Sequence, residues 1–346
     1  MTQTTTITQN DQVSLPQTLI QLINGLWVSQ AIYIVAKLNI ADLLKDGAKS
    51  SDELAKLADV DADSLYRVLR TLAGIGIFTE GKNQRFELNP LAKYLQTDTP
   101  GSLRSLATFL GEPWYLQIWE DSFYSVKTGK SALDKLHGTD FHSFVAQDPE
   151  KTRIYNEAMT SLTSSLIPKV LASYDFSHYS KIVDIGGGQG ILISEILKNN
   201  PNLKGILFDQ PHVVEEARTF LEAKGVAERC EFVGGNFYES LPSGADIYLM
   251  KHIIHIPNIE LTRDVLKNCY EVMTKDAKLV LLEGVVPPPN QSSFTKWLDL
   301  NMLVVSSGGR ERTEEEYREL LAKAGFKVTK VIYTQAPVDI IEAVKV

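Results

Sequence analysis

The sequence predicts an α/β protein: a mostly parallel sheet closed by a C-terminal antiparallel hairpin, behind a mainly helical N-terminal domain. Three observations carry this. From residue 181 onward, short apolar runs alternate with helical patterns: KIVDIG, LKGILFD, RCEFVGG, ADIYLMK and AKLVLLEGVV. Each is rich in Val, Ile, Leu or Phe, as strands buried on both faces are, and intervening helices make right-handed crossovers between parallel strands. The first run opens into VDIGGGQGILISEIL, Val183 to Leu197, which reads as strand, glycine turn and helix. The last segment, GFKVTKVIYTQAPVDIIEAVKV, reads as two strands joined by a turn.

The elements follow in order. Residues 1–14 are polar, lack a basic and an apolar region, and read as a disordered tail rather than a signal peptide. The segment LIQLINGLWVSQAIYIVAKL carries Gln21, Asn24, Ser29, Gln30 and Lys37. A membrane span does not tolerate so many polar groups, whereas a buried or dimer-forming helix does. SSDELAKLADV starts a helix with Ser51 as N-cap and Asp52 and Glu53 in its first turn. In DADSLYRVLRTLAGIG the apolar residues 65, 68, 69, 72 and 73 precede a stop at Gly74, and IFTEGKNQRFEL makes two short strands around GKNQ. Helix, turn, helix and hairpin is a winged-helix pattern, so 15–100 is a winged-helix-like domain. Residues 101–180 form a helical linker or lid whose aromatic residues, Phe109, Trp114, Tyr115, Trp119, Phe123 and Tyr124, suit a core or a pocket lining. Residues 181–346 form the α/β domain.

Composition removes several functions. The net charge is −8 over 346 residues, against the basic footprint of nucleic-acid binders. The helix that would read DNA opens with Asp61 and Asp63, which phosphates repel. A packing or dimerisation domain fits better. The two cysteines, Cys230 and Cys269, have no metal-like spacing, and a reducing cytoplasm fits them.

Ligands of such sheets sit at the carboxyl ends of the strands, near the switch in strand order. The glycine loop stands there. It fits the dinucleotide pattern poorly, since Ile191 takes the place of the third glycine, and the P-loop pattern is absent. With no pyrophosphate required, a methionine-bearing nucleoside is the better ligand. Asp209 ends the second strand, where a carboxylate either accepts both ribose hydroxyls or caps the next helix.

VDIGGGQG, LFDQPHVV, GGNFYESLP, LMKHIIHIPN, LLEGVVPP and WLDLNMLVVSSGGRERTEEEYRELLAKAGF follow in order. Together they resemble the S-adenosylmethionine-dependent O-methyltransferases of the caffeate, flavonoid and hydroxyindole type, over nearly the whole chain. The resemblance implies a Rossmann-like methyltransferase sheet and an N-terminal domain that forms an intertwined homodimer. It implies that Gly186, Gly187 and Gly188 let the backbone approach the methionine part of the cofactor, and that Asp209 holds the ribose. Asn236 stands where the family usually has an aspartate near the adenine. Phe237 would pack on the adenine face, and Lys251 stands at a cofactor-contacting position.

The resemblance also implies His255 as general base, with Glu283 and Glu311 as the carboxylates that orient it and stabilise its imidazolium form. Glu311 lies in a charged run, for which a solvated surface is the weaker rival reading. His255 is followed by Ile256 and Pro257 where the family commonly has Asp and Trp. His252 and His255 alone, without a third ligand in the nearby sequence, do not make a metal site, and the family works without metal. Met159, Trp297, Asn301 and Met302 are pocket residues on this reading, with core packing as an equal alternative. The expected reaction is methyl transfer to a phenolic or enolic hydroxyl of a small aromatic metabolite in a cytoplasmic homodimer, with no nucleic acid and no membrane. N- or C-methylation, or non-methylating chemistry on the same scaffold, is the first rival. A DNA-binding regulator is the remote one.

Overall fold

The computed structural model describes residues 14–255 and 259–346. The expected tail up to residue 13, and Ile256 and Pro257, lie outside that range. The chain divides into two compact units, Met1–Thr99 and Pro100–Val346.

In the first unit, the long apolar segment is two helices, Leu15–Ile23 and Gly25–Lys37, bent by 45°. Ser14 caps the first with its side chain, so residue 14, read as part of the tail, belongs to the cap of this helix. Among the described residues no single helix is long and apolar enough to cross a membrane. Helices Ser51–Ala58 and Ala62–Gly74 follow, then an antiparallel hairpin of Thr79–Glu80 and Arg85–Glu87. Leu65, Leu69 and Leu72, spaced for one helix face, are buried with Leu54 and Phe86. The N-cap of Ser51–Ala58 is Ser50 rather than Ser51. The Ser50 hydroxyl accepts from the Glu53 amide and the Glu53 carboxylate accepts from the Ser50 amide. Only residue 50 has a Glu three positions on, which is what a reciprocal capping box requires.

The second unit holds a seven-stranded sheet: β1 (Lys181–Ile185), β2 (Lys204–Asp209), β3 (Cys230–Gly234), β4 (Ile247–Lys251), β5 (Lys278–Glu283), β6 (Phe326–Ile332) and β7 (Asp339–Lys345). Their order is β3-β2-β1-β4-β5-β7-β6. The first five are parallel, while β7 runs antiparallel to both β5 and β6. The expected hairpin therefore inserts its second strand inside the first. Alternation along the strands sorts side chains to two cores: Val183, Ile185, Tyr248, Met250, Leu279 and Leu281 on one face, Ile182, Ile247, Leu249, Val280 and Leu282 on the other.

Helices relevant to the site are α1 (Pro149–Ser173), α2 (Ile191–Asn199), α3 (Pro211–Ala223), α4 (Ile259–Val272), α5 (Phe294–Val305) and α6 (Glu314–Lys323). Between residues 104 and 173 the chain is a run of helices. Its Phe109, Tyr115, Ile118 and Phe144 share a core with Ile154 and Ala158 of α1 and with Val304 and Val305 of α5.

Strand order reverses between β1 and β4, which opens a crevice at their carboxyl ends. The glycine loop leaves β1 there. Gly190 caps α2 with φ of +80°, and a Cβ on it would stand 2.3 Å from Leu221 Cδ1 and 2.7 Å from Leu207 Cδ1. Gly190→Ala combines a left-handed backbone with overpacking, and is expected to cost roughly 2–4 kcal/mol. Urea unfolding of wild type and variant measures this; an unchanged midpoint would contradict the packing described.

Candidate active site

Two segments meet in the crevice. One is the glycine loop, Gly186 to Gly190, after β1. The other is the turn His252 to His255 after β4. They touch: a Cβ on Gly186 would lie 2.5 Å from Ile253 Cδ1 and 3.7 Å from Phe237 Cε1. Gly186 and Gly188 both have positive φ, and nothing lies within 4 Å of where a Gly188 Cβ would be. The loop backbone is thus open on that side, as close approach of a ligand requires.

Asp209, at the end of β2, accepts the Gly188 amide on Oδ2 (2.8 Å) and the Gln210 amide on Oδ1 (2.7 Å). Burial raises its pKa against those two bonds. Each oxygen keeps a free lone pair, so the carboxylate can still accept a pair of hydroxyls. Phe237 lies beside the loop with its ring 4.6 Å from that of Tyr238. Asn236 is exposed, and both ends of its amide serve its own turn: Oδ1 accepts the Tyr238 amide and Nδ2 donates to Glu239. Lys251 ends β4, where burial lowers its pKa and the charges of Asp184 and Glu283 oppose that.

The turn is held from several sides. The His252 amide donates to the Leu282 carbonyl (3.1 Å). Glu283 Oε1 accepts the amides of both Ile253 and Ile254, each at 2.9 Å. Arg312, itself buried, donates to the Ile254 carbonyl (2.7 Å), and the Arg310 amide donates to the His255 carbonyl (3.3 Å). His255 presents its ring to Glu311, with Nδ1 and Oε1 2.8 Å apart. The Glu311 side chain is fully buried, so the solvated reading of its charged run fails. The carboxylate reaches in because residue 284 is glycine: a Cβ there would lie 3.1 Å from Glu311 Oε2. The Glu311 amide is in turn fixed to Asp299 of α5 (2.8 Å).

Glu283 is expected beside the ring of His255; its first oxygen instead holds the backbone of the turn and its second faces His252 Nδ1 at 3.7 Å, while the ring of His255 bonds to Glu311. Burial works against a charge on His255, but the Glu311 hydrogen bond and the charges of Glu283 and Glu311 raise its pKa above the ordinary value. Burial drives His252 the other way, down to about 4, so it is neutral near pH 7. Burial raises Glu311. The two histidine rings stack, 5.0 Å apart at 26°. The thin two-histidine reading overlooked Glu311: one ligand atom each from His252, His255 and Glu311 lie within 4.8 Å of one another.

Of the pocket residues, Met159 and Met302 pack on the aromatic cluster around Phe109 and Tyr115. Thr160, next to Met159, donates to Gln189 of the glycine loop (3.4 Å), so α1 reaches the cleft there. Asn301 Oδ1 accepts from the Tyr115 hydroxyl (2.6 Å) and the Trp119 indole (3.1 Å). Trp297, one turn before Asn301 on α5, is 68% exposed in the single chain.

Two residues escaped the sequence reading. Asp184 is buried in β1 with Oδ2 unpartnered, and burial raises it to about 7. A carboxylate inside an apolar strand was a legible signal. His142 has its pKa lowered by burial and lies within electrostatic reach of His255 and Asp209, its ring edge-on to Tyr155. Nothing local in the sequence marks it.

The cradle fits a nucleoside that carries a methionine chain: an open glycine backbone, a two-oxygen acceptor at the next strand end, and a flat ring beside them. Comparison with known proteins agrees. Residues 119–327 match the O-methyltransferase domain, and 20–98 match the O-methyltransferase dimerisation domain. The chain is 40% identical to the phenazine O-methyltransferase of Lysobacter antibioticus, over 97% of this chain and 99% of that one. It is 35% identical to the mitomycin biosynthesis 6-O-methyltransferase of Streptomyces lavendulae, over 94% and 93%. The structure of CalO1, a methyltransferase in calicheamicin biosynthesis in its S-adenosylhomocysteine-bound form, matches with a TM-score of 0.86 at 28% identity, covering 98% of this chain and 100% of that one. This chain therefore belongs to the S-adenosylmethionine-dependent O-methyltransferases, with that family's dimerisation domain ahead of its catalytic domain.

Proposed function

We propose that the protein methylates a phenolic or enolic hydroxyl of a small aromatic metabolite, with His255 as general base. The observation that carries this is the buried Nδ1 to Oε1 contact of 2.8 Å between His255 and Glu311, on a turn that touches the glycine loop. S-adenosylmethionine supplies an activated methyl group on a sulfonium. Gly186, Gly187 and Gly188 would lie along its methionine part, Asp209 on its ribose, and Phe237 against its adenine. Lys251 would stand at its edge.

The chain's own work concerns the hydroxyl. A phenol with a pKa of about 10 is almost wholly protonated at neutral pH, and making its anion there costs about 4 kcal/mol. With the Nδ1 proton directed at Glu311, Nε2 of His255 carries the lone pair. It takes the hydroxyl proton as the carbon–oxygen bond forms. The Glu311 carboxylate stabilises the resulting imidazolium. Glu283, Arg310 and Arg312 keep the turn from rotating, which preserves alignment. Met159 and Met302 flank the acceptor, and Asn301 faces it with its amide orientation set by Tyr115 and Trp119.

The relatives named for phenazine and mitomycin methylation support a polycyclic or quinonoid acceptor. The protein acts as a homodimer in the cytoplasm on this reading. Leu15, Leu22, Ile23 and Trp27 in the dimerisation domain are each at least 69% exposed in the single chain, and the buried cysteines are unpaired. Incubation with cofactor and a panel of hydroxylated aromatics, including a hydroxyphenazine, should release S-adenosylhomocysteine with an O-methyl product. Methyl found only on nitrogen or carbon would overturn the assignment.

His255→Ala should lower turnover by about two orders of magnitude or more, while calorimetry still shows cofactor binding. Wild-type turnover in that variant would remove His255 from the reaction. The base must be neutral to act, so kcat/KM should fall as pH drops through a pKa above the usual 6.5 or so for histidine. Glu311→Gln removes the group that raises it. The acid limb should then move to lower pH by about one unit or more, with a reduced plateau. A limb that stays in place would show that Glu311 does not act on the base.

A further inference from the structure

His252 has no part in the reaction just described, yet it is placed with care. Its backbone is in the left-handed region, φ of +54°, which is uncommon for histidine. Its side chain is 12% exposed. Neither ring nitrogen has a hydrogen-bond partner, and neither do Glu283 Oε2 or Glu311 Oε2 close by. Of these, His252 Nδ1 and Glu283 Oε2 face each other at 3.7 Å; His252 Nε2 and Glu311 Oε2 face no partner, and such atoms, costly to leave unpaired, point to a missing ligand.

The donor set says which ligand. Two imidazole nitrogens and one carboxylate oxygen, gathered within 4.8 Å, suit Zn²⁺, Co²⁺ or Ni²⁺. They suit Mg²⁺ and Ca²⁺ poorly, because those ions take oxygen. Three protein ligands leave one position of a tetrahedron open. With His252 ligating through Nε2, Glu283 Oε2, 3.7 Å from its Nδ1, would be the carboxylate that orients the imidazole.

We propose that His252, His255 and Glu311 form an inhibitory binding site for a divalent transition-metal ion of the zinc type. Binding removes the base whichever nitrogen of His255 is used. On Nε2 the cation occupies the lone pair itself. On Nδ1 it inserts between the ring and Glu311, and the Nδ1 proton returns through solvent to Nε2. The ring stays neutral, no net proton is released, and Nε2 then donates where it must accept. Metal binding stands on the geometry alone; inhibition rests on the reading of His255 as the base.

The test is titration of the metal-free, full-length protein with Co²⁺, followed by its visible absorption, with Zn²⁺ as competitor. Wild type should bind one Co²⁺ per protomer and release it to Zn²⁺. Two variants are compared: Glu311→Gln, and His252→Asn, which keeps a residue tolerant of the left-handed backbone. Both should weaken Co²⁺ binding by roughly tenfold or more, the scale seen when even a supporting group of a metal site is lost, while retaining cooperative thermal unfolding. Zn²⁺ should abolish methyl transfer by wild type, reversibly with a chelator, and at higher concentration in His252→Asn. No stoichiometric Co²⁺ binding, or binding equally tight in both variants, overturns the site. Tight binding lost in both variants, with methyl transfer by wild type indifferent to Zn²⁺, upholds the site and instead removes His255 as base.

Discussion

The structure turns on one buried hydrogen bond, between Nδ1 of His255 and a carboxylate that has no access to water. An isolated carboxylate in such a place would pick up a proton, because burial penalises its charge. Next to an imidazole, the two groups hold one proton between them. With the proton on Nδ1, that arrangement would leave Nε2 free to face an acceptor, as the proposed chemistry requires. Everything else around it serves to keep the two groups at 2.8 Å. Gly284 leaves room for the Glu311 side chain, and Asp299 ties its backbone to α5.

The fold makes this affordable by bringing strand ends together. β4 delivers His255 and β5, its neighbour in the sheet, delivers Glu283. Because the strands are parallel and in register, the carboxylate at the end of one meets the amides just beyond the end of the other. A carboxylate used on two backbone amides rigidifies a turn more than a side-chain contact would, since it fixes main-chain direction at successive residues. Reversal of strand order between β1 and β4 then sets the glycine loop against that same turn. The glycine loop and the His255 turn are neighbours through topology, although they are far apart along the chain.

Much of this was legible in the sequence where the signal is local. Apolar runs announced the strands, three glycines announced the loop, and Asp209 stood at a strand end with a fixed offset from them. Signals that depend on distant partners were not legible. Asn301 is oriented by Tyr115 and Trp119, 186 and 182 positions away. Helical spacing put Trp297 and Asn301 on a common face, but the width of the contact on α5 decides which residue is covered, and Trp297 is not. Glu283 is expected beside the ring of His255, whereas its Oε1 takes the amides of Ile253 and Ile254; no sequence pattern distinguishes a carboxylate that takes amides from one that takes an imidazole. His252 has no third donor among its sequence neighbours, because Glu311, which comes close to it in the fold, is 59 positions away.

The tautomer of His255 is the claim on which the account stands. Two-bond ¹⁵N–¹H correlation spectra of histidine-labelled, cofactor-bound protein, assigned by comparison with His255→Gln, read it directly. Above the pKa of the ring, the expected state is a protonated Nδ1 and a bare Nε2. A proton on Nε2 with a bare Nδ1 would mean that the imidazole cannot take the hydroxyl proton, and the proposed chemistry would be wrong.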